Sequence, residues 1–102
     1  MFTGKDEEWL RWKEATEDYV EAVHPGLKHV LGLAAKVNVQ ITDQSQLGGI
    51  LHEEWLQADK LFVLLKRKTT SDARSLVMSA GRDNGFDSWR ILVSRFESQV
   101  GI

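Results

Sequence analysis

A chain of 102 residues, 42% hydrophobic and 27% charged, suits one folded domain with a modest core and is too apolar to remain disordered. It has no cysteine, which excludes disulfides, thiolate metal sites and cysteine nucleophiles, and its net charge of −2 gives the whole chain no general attraction for nucleic acid. Its longest apolar run, Leu61 to Leu65, is far too short to cross a bilayer, and a start that turns acidic by Asp6 is unlike a signal or transit peptide. No membrane association is expected, and a cytoplasmic or nuclear location follows as the default.

The chain reads as an all-α bundle of about five helices in a single domain spanning residues 1–102. Thr3, three residues before Asp6, resembles a capping box that opens a helix over about 5–23. Within it Trp9, Trp12, Thr16, Tyr19 and Val23 recur at spacings of three and four, one stripe on a helix, with charged residues elsewhere. Burial of Trp9 or Trp12, or both, is expected. His24-Pro25-Gly26 interrupts this helix, and Pro25 suits the first turn of the next, over 25–36, with Leu27, Val30, Leu31 and Ala34 inward. Residues 38–46 are the least helical. Val37-Asn38-Val39-Gln40-Ile41 alternates like a strand but has no evident partner, so an extended connector is expected.

The third helix, over 46–67, carries Leu51, Trp55, Ala58, Phe62 and Leu65, with Leu61, Val63 and Leu64 on its other sides. Apolar around most of its circumference, its second half is expected in the middle of the domain. Gly48-Gly49 weakens its start and could detach a separate turn. Thr70 or Ser71 caps a fourth helix over 71–80, with Ala73, Leu76, Val77 and Ala80 apolar and Gly81 closing it. After a turn at Asp83-Asn84-Gly85, a fifth helix over 86–98 presents Phe86, Trp89, Leu92, Val93 and Phe96 on one face.

Charge is uneven along the chain. Residues 1–22 carry a net −4, with Glu14, Glu17, Asp18 and Glu21 on the first helix, whereas residues 60–95 carry a net +5, including Lys66, Arg67, Lys68, Arg74 and Arg82. Such segregation suits head-to-tail self-association or a match between the two ends within one copy; it also arises from ordinary solvated helix faces. The Lys66-Arg67-Lys68 cluster fits a phosphate contact, and it equally fits a helix C-terminus, where cations are favoured.

No catalytic signature emerges. There is no Gly-x-Ser-x-Gly, no phosphate loop and no dinucleotide fingerprint. His24, His29 and His52 are not spaced as helical metal ligands, and the second histidine that His52-Glu53-Glu54 would need for a zinc motif is Leu56. Asp83-Asn84-Gly85-Phe86-Asp87 lacks the remaining ligands of a calcium loop. Adjacent acids such as Glu7/Glu8 and Glu53/Glu54 point about 100° apart on a helix and do not converge on one substrate. No enzyme activity, cofactor or metal is expected.

Two segments together resemble a known family. The first is Phe2-Thr3-Gly4 followed by Trp9-Leu10-Arg11-Trp12; the second runs through Ala73-Arg74-Ser75-Leu76-Val77 and Asn84-Gly85-Phe86-Asp87-Ser88-Trp89-Arg90-Ile91-Leu92 to Arg95-Phe96-Glu97. Their order and spacing are similar to the Gag polyprotein of copia-type and related long-terminal-repeat retrotransposons. There a Phe-x-Gly…Trp…Trp opening precedes a helical bundle that closes on a Trp-x-x-Leu…Arg-Phe helix. The resemblance implies an N-terminal capsid domain or a domesticated derivative, self-associating into a capsid-like particle that packages element RNA. It implies Phe2, Gly4, Trp9, Trp12, Tyr19, Trp55, Phe62, Leu76, Trp89, Leu92 and Phe96 as motif and core residues. The charged residues Glu14, Glu17, Asp18, Glu21, Lys66, Arg67, Lys68 and Arg74 are the expected assembly or RNA-facing positions. A zinc knuckle and a second, C-terminal capsid domain, both familiar in Gag, are absent from these 102 residues. Two alternatives stand beside this reading: an adaptor that takes a partner's peptide in an apolar groove near Trp55, and a helical domain that binds nucleic acid weakly through residues 60–74.

Overall fold

A computed structural model describes residues 1–81 and 83–100; Arg82, counted above in the basic segment, lies outside the described residues, as do Gly101 and Ile102. Six α-helices follow in chain order: α1 (Trp9–Val23), α2 (Leu27–Lys36), the single-turn α3 (His52–Trp55), α4 (Ala58–Arg67), α5 (Ser71–Met78) and α6 (Gly85–Val100). Short 3₁₀ turns at Asp6–Glu8 and Gln44–Leu47 lead into α1 and toward α3. Apart from α3, the helices are the five expected. No described helix is long and apolar enough to cross a membrane.

The core is organised around α6, which packs against α2, α4 and α5. Phe86, Trp89, Leu92, Val93 and Phe96 are all buried, as the three-and-four spacing requires. The second half of the expected third helix, α4, lies on α6 rather than in the middle. Leu61, Phe62 and Leu65 face inward, while Val63 remains 42% exposed and Lys66 and Arg67 are solvated. Continuous helix over 46–67 is not formed. Gly48-Gly49 separates the 3₁₀ turn at Gln44–Leu47 from α3, a turn at Leu56-Gln57 divides α3 from α4, and Leu51, 58% exposed, sits outside the core.

The stripe expected on α1 is corrected at its C-terminal end. Trp9, Thr16 and Val20 are buried and Trp12 half-buried, whereas Tyr19 is 48% and Val23 67% exposed. A repeat of three and four averages 3.5 residues, so it drifts about 20° per heptad on a straight helix and about 40° between Trp9 and Val23. Val20 takes over as the inward residue. The second helix starts at Leu27 rather than Pro25, because Pro25-Gly26 forms the turn itself, and its four expected apolar residues are buried. Residues 37–41 form a connector that is neither helix nor strand, extended at Val37 and bent at Val39, with Ile41 fully buried.

The two ends of the chain meet in one aromatic cluster. The Phe2 ring lies 4.8 Å from Phe96 and 5.1 Å from Trp12, and Trp9 lies 5.4 Å from Phe96 and 6.2 Å from Trp89. Backbone bonds hold the N-terminus in place: Phe2 N–H donates to the Lys68 carbonyl (3.0 Å) and Thr70 N–H to the Phe2 carbonyl (2.9 Å), a single parallel bridge. Trp12 Nε1 donates to the same Lys68 carbonyl at 3.1 Å. Gly4, at φ +107°, lets this segment cross the start of α5, where a Cβ would lie 3.3 Å from that of Asp72. Thr3 does not cap through Asp6; its N–H and hydroxyl both donate to Glu8 Oε1, at 3.1 and 2.9 Å.

A second tie fastens the connector to α6. Asp87, 1% exposed, accepts the Ile41 N–H at 2.9 Å and Arg90 Nε at 2.6 Å, and Asn84 Nδ2 donates to the Ile41 carbonyl at 2.8 Å. The residues that faintly resembled a calcium loop thus close a backbone clamp. Ser88 donates to the Val77 carbonyl at 2.8 Å, joining α6 to α5. α5 ends at Met78 with Ser79 as its C-cap, two residues short of the expected 71–80, and Gly81, at φ +84°, turns the chain just beyond it; Thr70 stands at the N-cap position without a side-chain capping bond.

Candidate functional site

The expected motif residues divide by location. Phe2, Trp9, Phe62, Trp89, Leu92 and Phe96 are buried, and Trp12, Trp55 and Leu76 are half-buried against the core. Tyr19 departs from the group as a surface residue. Trp55 stacks flat on Phe86, with ring centroids 5.7 Å apart and planes 13° apart, so its aromatic face is occupied.

The open apolar surface lies elsewhere. α1 packs on α2 and scarcely touches α4, leaving a groove of about 220 Å³ between its C-terminal half and α4. One wall consists of Tyr19, Val20, Val23, His24 and Leu27; the other of Gln57, Lys60, Leu61, Val63, Leu64 and Arg67. Val20, Leu27 and Leu61 form the buried floor, while Tyr19, Val23 and Val63 stand exposed at the rim. The sequence placed Val23 on the core stripe of α1 and Val63 on another side of the third helix, and only the structure shows both exposed beside one groove. Which stripe α1 buries depends on its neighbours, so the groove was not legible there.

Electrostatically the groove is one-sided. Its nitrogen-bearing basic side chains are His24, Lys60 and Arg67, and Lys68 Nζ sits 4.6 Å above the Tyr19 ring at its edge. No described carboxylate lines it. Glu21, on the neighbouring turn, is committed to backbone: its carboxylate accepts the N–H of Gly26 (3.0 Å) and of Lys28 (3.2 Å). These bonds favour its charged form and hold its carboxyl below the usual range.

The charged positions expected to act together are not gathered. Glu14 and Asp18 are exposed on the outer side of α1, Asp18 within 3.4 Å of Lys28 Nζ. Glu17 is half-buried, and burial pushes its carboxyl up against the pull of Lys13 and Lys28. Lys13 pairs with Glu97 of α6, one contact between the chain's two ends. Lys66 and Arg67 are exposed in the last turn of α4, where cations complement the helix dipole. Arg74 is engaged: its Nε donates to the carbonyls of Thr69 (3.1 Å) and Lys66 (3.2 Å). Among the described residues of the expected basic set, Lys66 and Arg67 are exposed, whereas Lys68 and Arg74 make the contacts given above.

Among the described residues no group of three or more His, Asp or Glu side chains could hold a metal ion. Comparisons with protein-family models, with curated proteins and with solved structures yield no match.

Proposed function

We propose that this chain is a non-catalytic assembly domain of the Gag capsid type, self-associating into a particle that encloses RNA. The observation that carries the reading is the union of the two motif segments. Phe2, Trp9 and Trp12 from the opening and Trp89 and Phe96 from the closing helix share one aromatic core, and Gly4 supplies the turn that brings the opening there. This supports treating the two segments as one structural unit rather than as separate amphipathic helices.

The surface suggests how copies meet. Glu14 and Asp18 face outward on α1, Lys66 and Arg67 face outward on α4, and the acidic face of one copy complements the basic end of the next. That contact is heterologous and closes into a ring where the rotation permits. Light-scattering mass is measured across protein concentration and salt. The wild-type mass climbs with concentration and falls back at high salt. The Lys66→Glu/Arg67→Glu variant stays monomeric, and mixing it with Glu14→Lys/Asp18→Lys restores association. A wild-type chain that is monomeric throughout, or a mass curve unmoved by the reversals, defeats the proposal.

A further inference from the structure

We infer that the groove between α1 and α4 is a docking site for an acidic amphipathic helix of a partner protein, a function beyond lattice assembly. The apolar element is specific in place. Tyr19 and Val23, one turn apart on α1, face Val63 across a floor of buried Leu27 and Leu61, and all three rim residues are at least 42% exposed. Lys60, Val63, Leu64 and Arg67 follow i, i+3, i+4 and i+7 along α4. At 1.5 Å per residue they span about 10 Å, two turns of a helix laid alongside. A helix presenting apolar residues at the same spacing places them in such a groove.

Charge selects the occupant. Lys60 and Arg67 are the cations of the groove's lining, Lys68 stands at its Tyr19 edge, and Glu21 is held by the Gly26 and Lys28 backbone. A helix with carboxylates along one edge of its apolar stripe meets Lys60 and Arg67 on the α4 side, and a helix with lysines there is repelled. A volume of about 220 Å³ admits only a few side chains, so affinity is on the order of 10–100 µM.

The probe is a fluorescein-labelled Glu/Ala helix with leucines at i, i+3, i+4 and i+7, titrated with the full chain and followed by anisotropy. Controls carry lysine for every glutamate, or alanine for every leucine. The acidic helix binds saturably and neither control does. Val23→Asp and Val63→Asp, substitutions at solvated positions, each weaken binding at least about tenfold. Lys60→Glu weakens the acidic probe and admits the basic one. Amide NMR shifts on titration concentrate at Val23, Val63 and Leu64. Melting curves of the variants match wild type. Equal binding of acidic and basic helices, no binding of the acidic helix, or binding indifferent to Val23→Asp and Val63→Asp overturns the inference. Loss of self-association in Val23→Asp without peptide binding also overturns it, and assigns the groove to a second copy. None of these variants touches Lys66, Glu14 or Asp18, so the assembly proposal stands or falls separately.

Discussion

Gly85→Ala should destabilise this domain even though glycine-to-alanine changes in helices ordinarily help. Gly85 begins α6 where it crosses α4. A Cβ there would lie 2.5 Å from the Phe62 nitrogen, 2.6 Å from Leu61 Cβ and 2.7 Å from the Ala58 carbonyl oxygen. Ordinary contact is about 3.5–4 Å, so the helices would have to part by about 1 Å at the junction on which the core depends. Two of the three obstructing atoms are backbone, and no flexible side-chain end can yield. Overpacking of this kind costs about 1–3 kcal/mol or somewhat more. The intrinsic helix gain of alanine offsets only about 0.5–1 kcal/mol of it. We expect a net loss of about 2 kcal/mol, a fall of roughly 10 °C in melting temperature for a domain of this size. Gly32, inside α2, is the internal control: a Cβ there meets nothing within 4 Å, and its φ is ordinary. Gly32→Ala should therefore stabilise by about 0.5–1 kcal/mol. Urea unfolding followed by tryptophan fluorescence reads both, since Trp89 lies one turn from Gly85 in the core. Gly85→Ala as stable as wild type, or both variants shifting in the same direction, would refute the packing argument.

Three further outcomes follow from the same geometry. Asp87→Ala leaves the fully buried Ile41 N–H without its acceptor and should cost about 3 kcal/mol, with the Ile41 amide losing its protection from hydrogen exchange. Asp87→Asn, which keeps an acceptor oxygen, should cost less. Phe2→Ala removes a ring that is 1% exposed and should cost about 3–5 kcal/mol, a large share of a small domain's stability, seen as a melting transition lowered well below wild type. Glu17 and Glu8 should respond to pH with opposite signs. Glu17's carboxyl is raised mainly by burial, so it binds its proton more tightly in the folded state and weakens the fold above its folded pKa. Glu17→Gln should then melt higher than wild type at pH 7, with the advantage vanishing as pH falls below the ordinary glutamate value of 4.5. Glu8's carboxyl is lowered by its bonds from the Thr3 N–H and hydroxyl. Its contribution is present above the ordinary value and lost as pH falls through its folded pKa, so Glu8→Gln should melt lower at pH 7 and converge with wild type in acid.

What the sequence determined by itself was local: the helical content, the faces of α2 and α6, and the non-helical connector over 37–41. Periodicity and turn chemistry act over a few residues, and at these places a single stripe or a single punctuating residue offered no competitor. On α1 the three-and-four spacing pointed through Tyr19 and Val23, and the drift of that repeat on a straight helix carried them off the core and Val20 into it. The neighbours decided, α2 covering Val20 and α4 standing off to leave the groove. From Leu51 to Leu65 the apolar pattern ran on without a break, yet a turn at Leu56-Gln57 divides it into α3 and α4, with Leu61, Phe62 and Leu65 buried and Trp55 stacked on Phe86. Lys68 and Arg74 read as free cations until the fold set one on a tyrosine ring and the other on two carbonyls. Gly85 read as the end of a turn and Asp87 as an ordinary helix acid, and only the fold gives them their long-range partners, α4 and the Ile41 N–H. Contacts between residues distant in sequence depend on how helices are set against one another, and that setting is a property of the whole packed core.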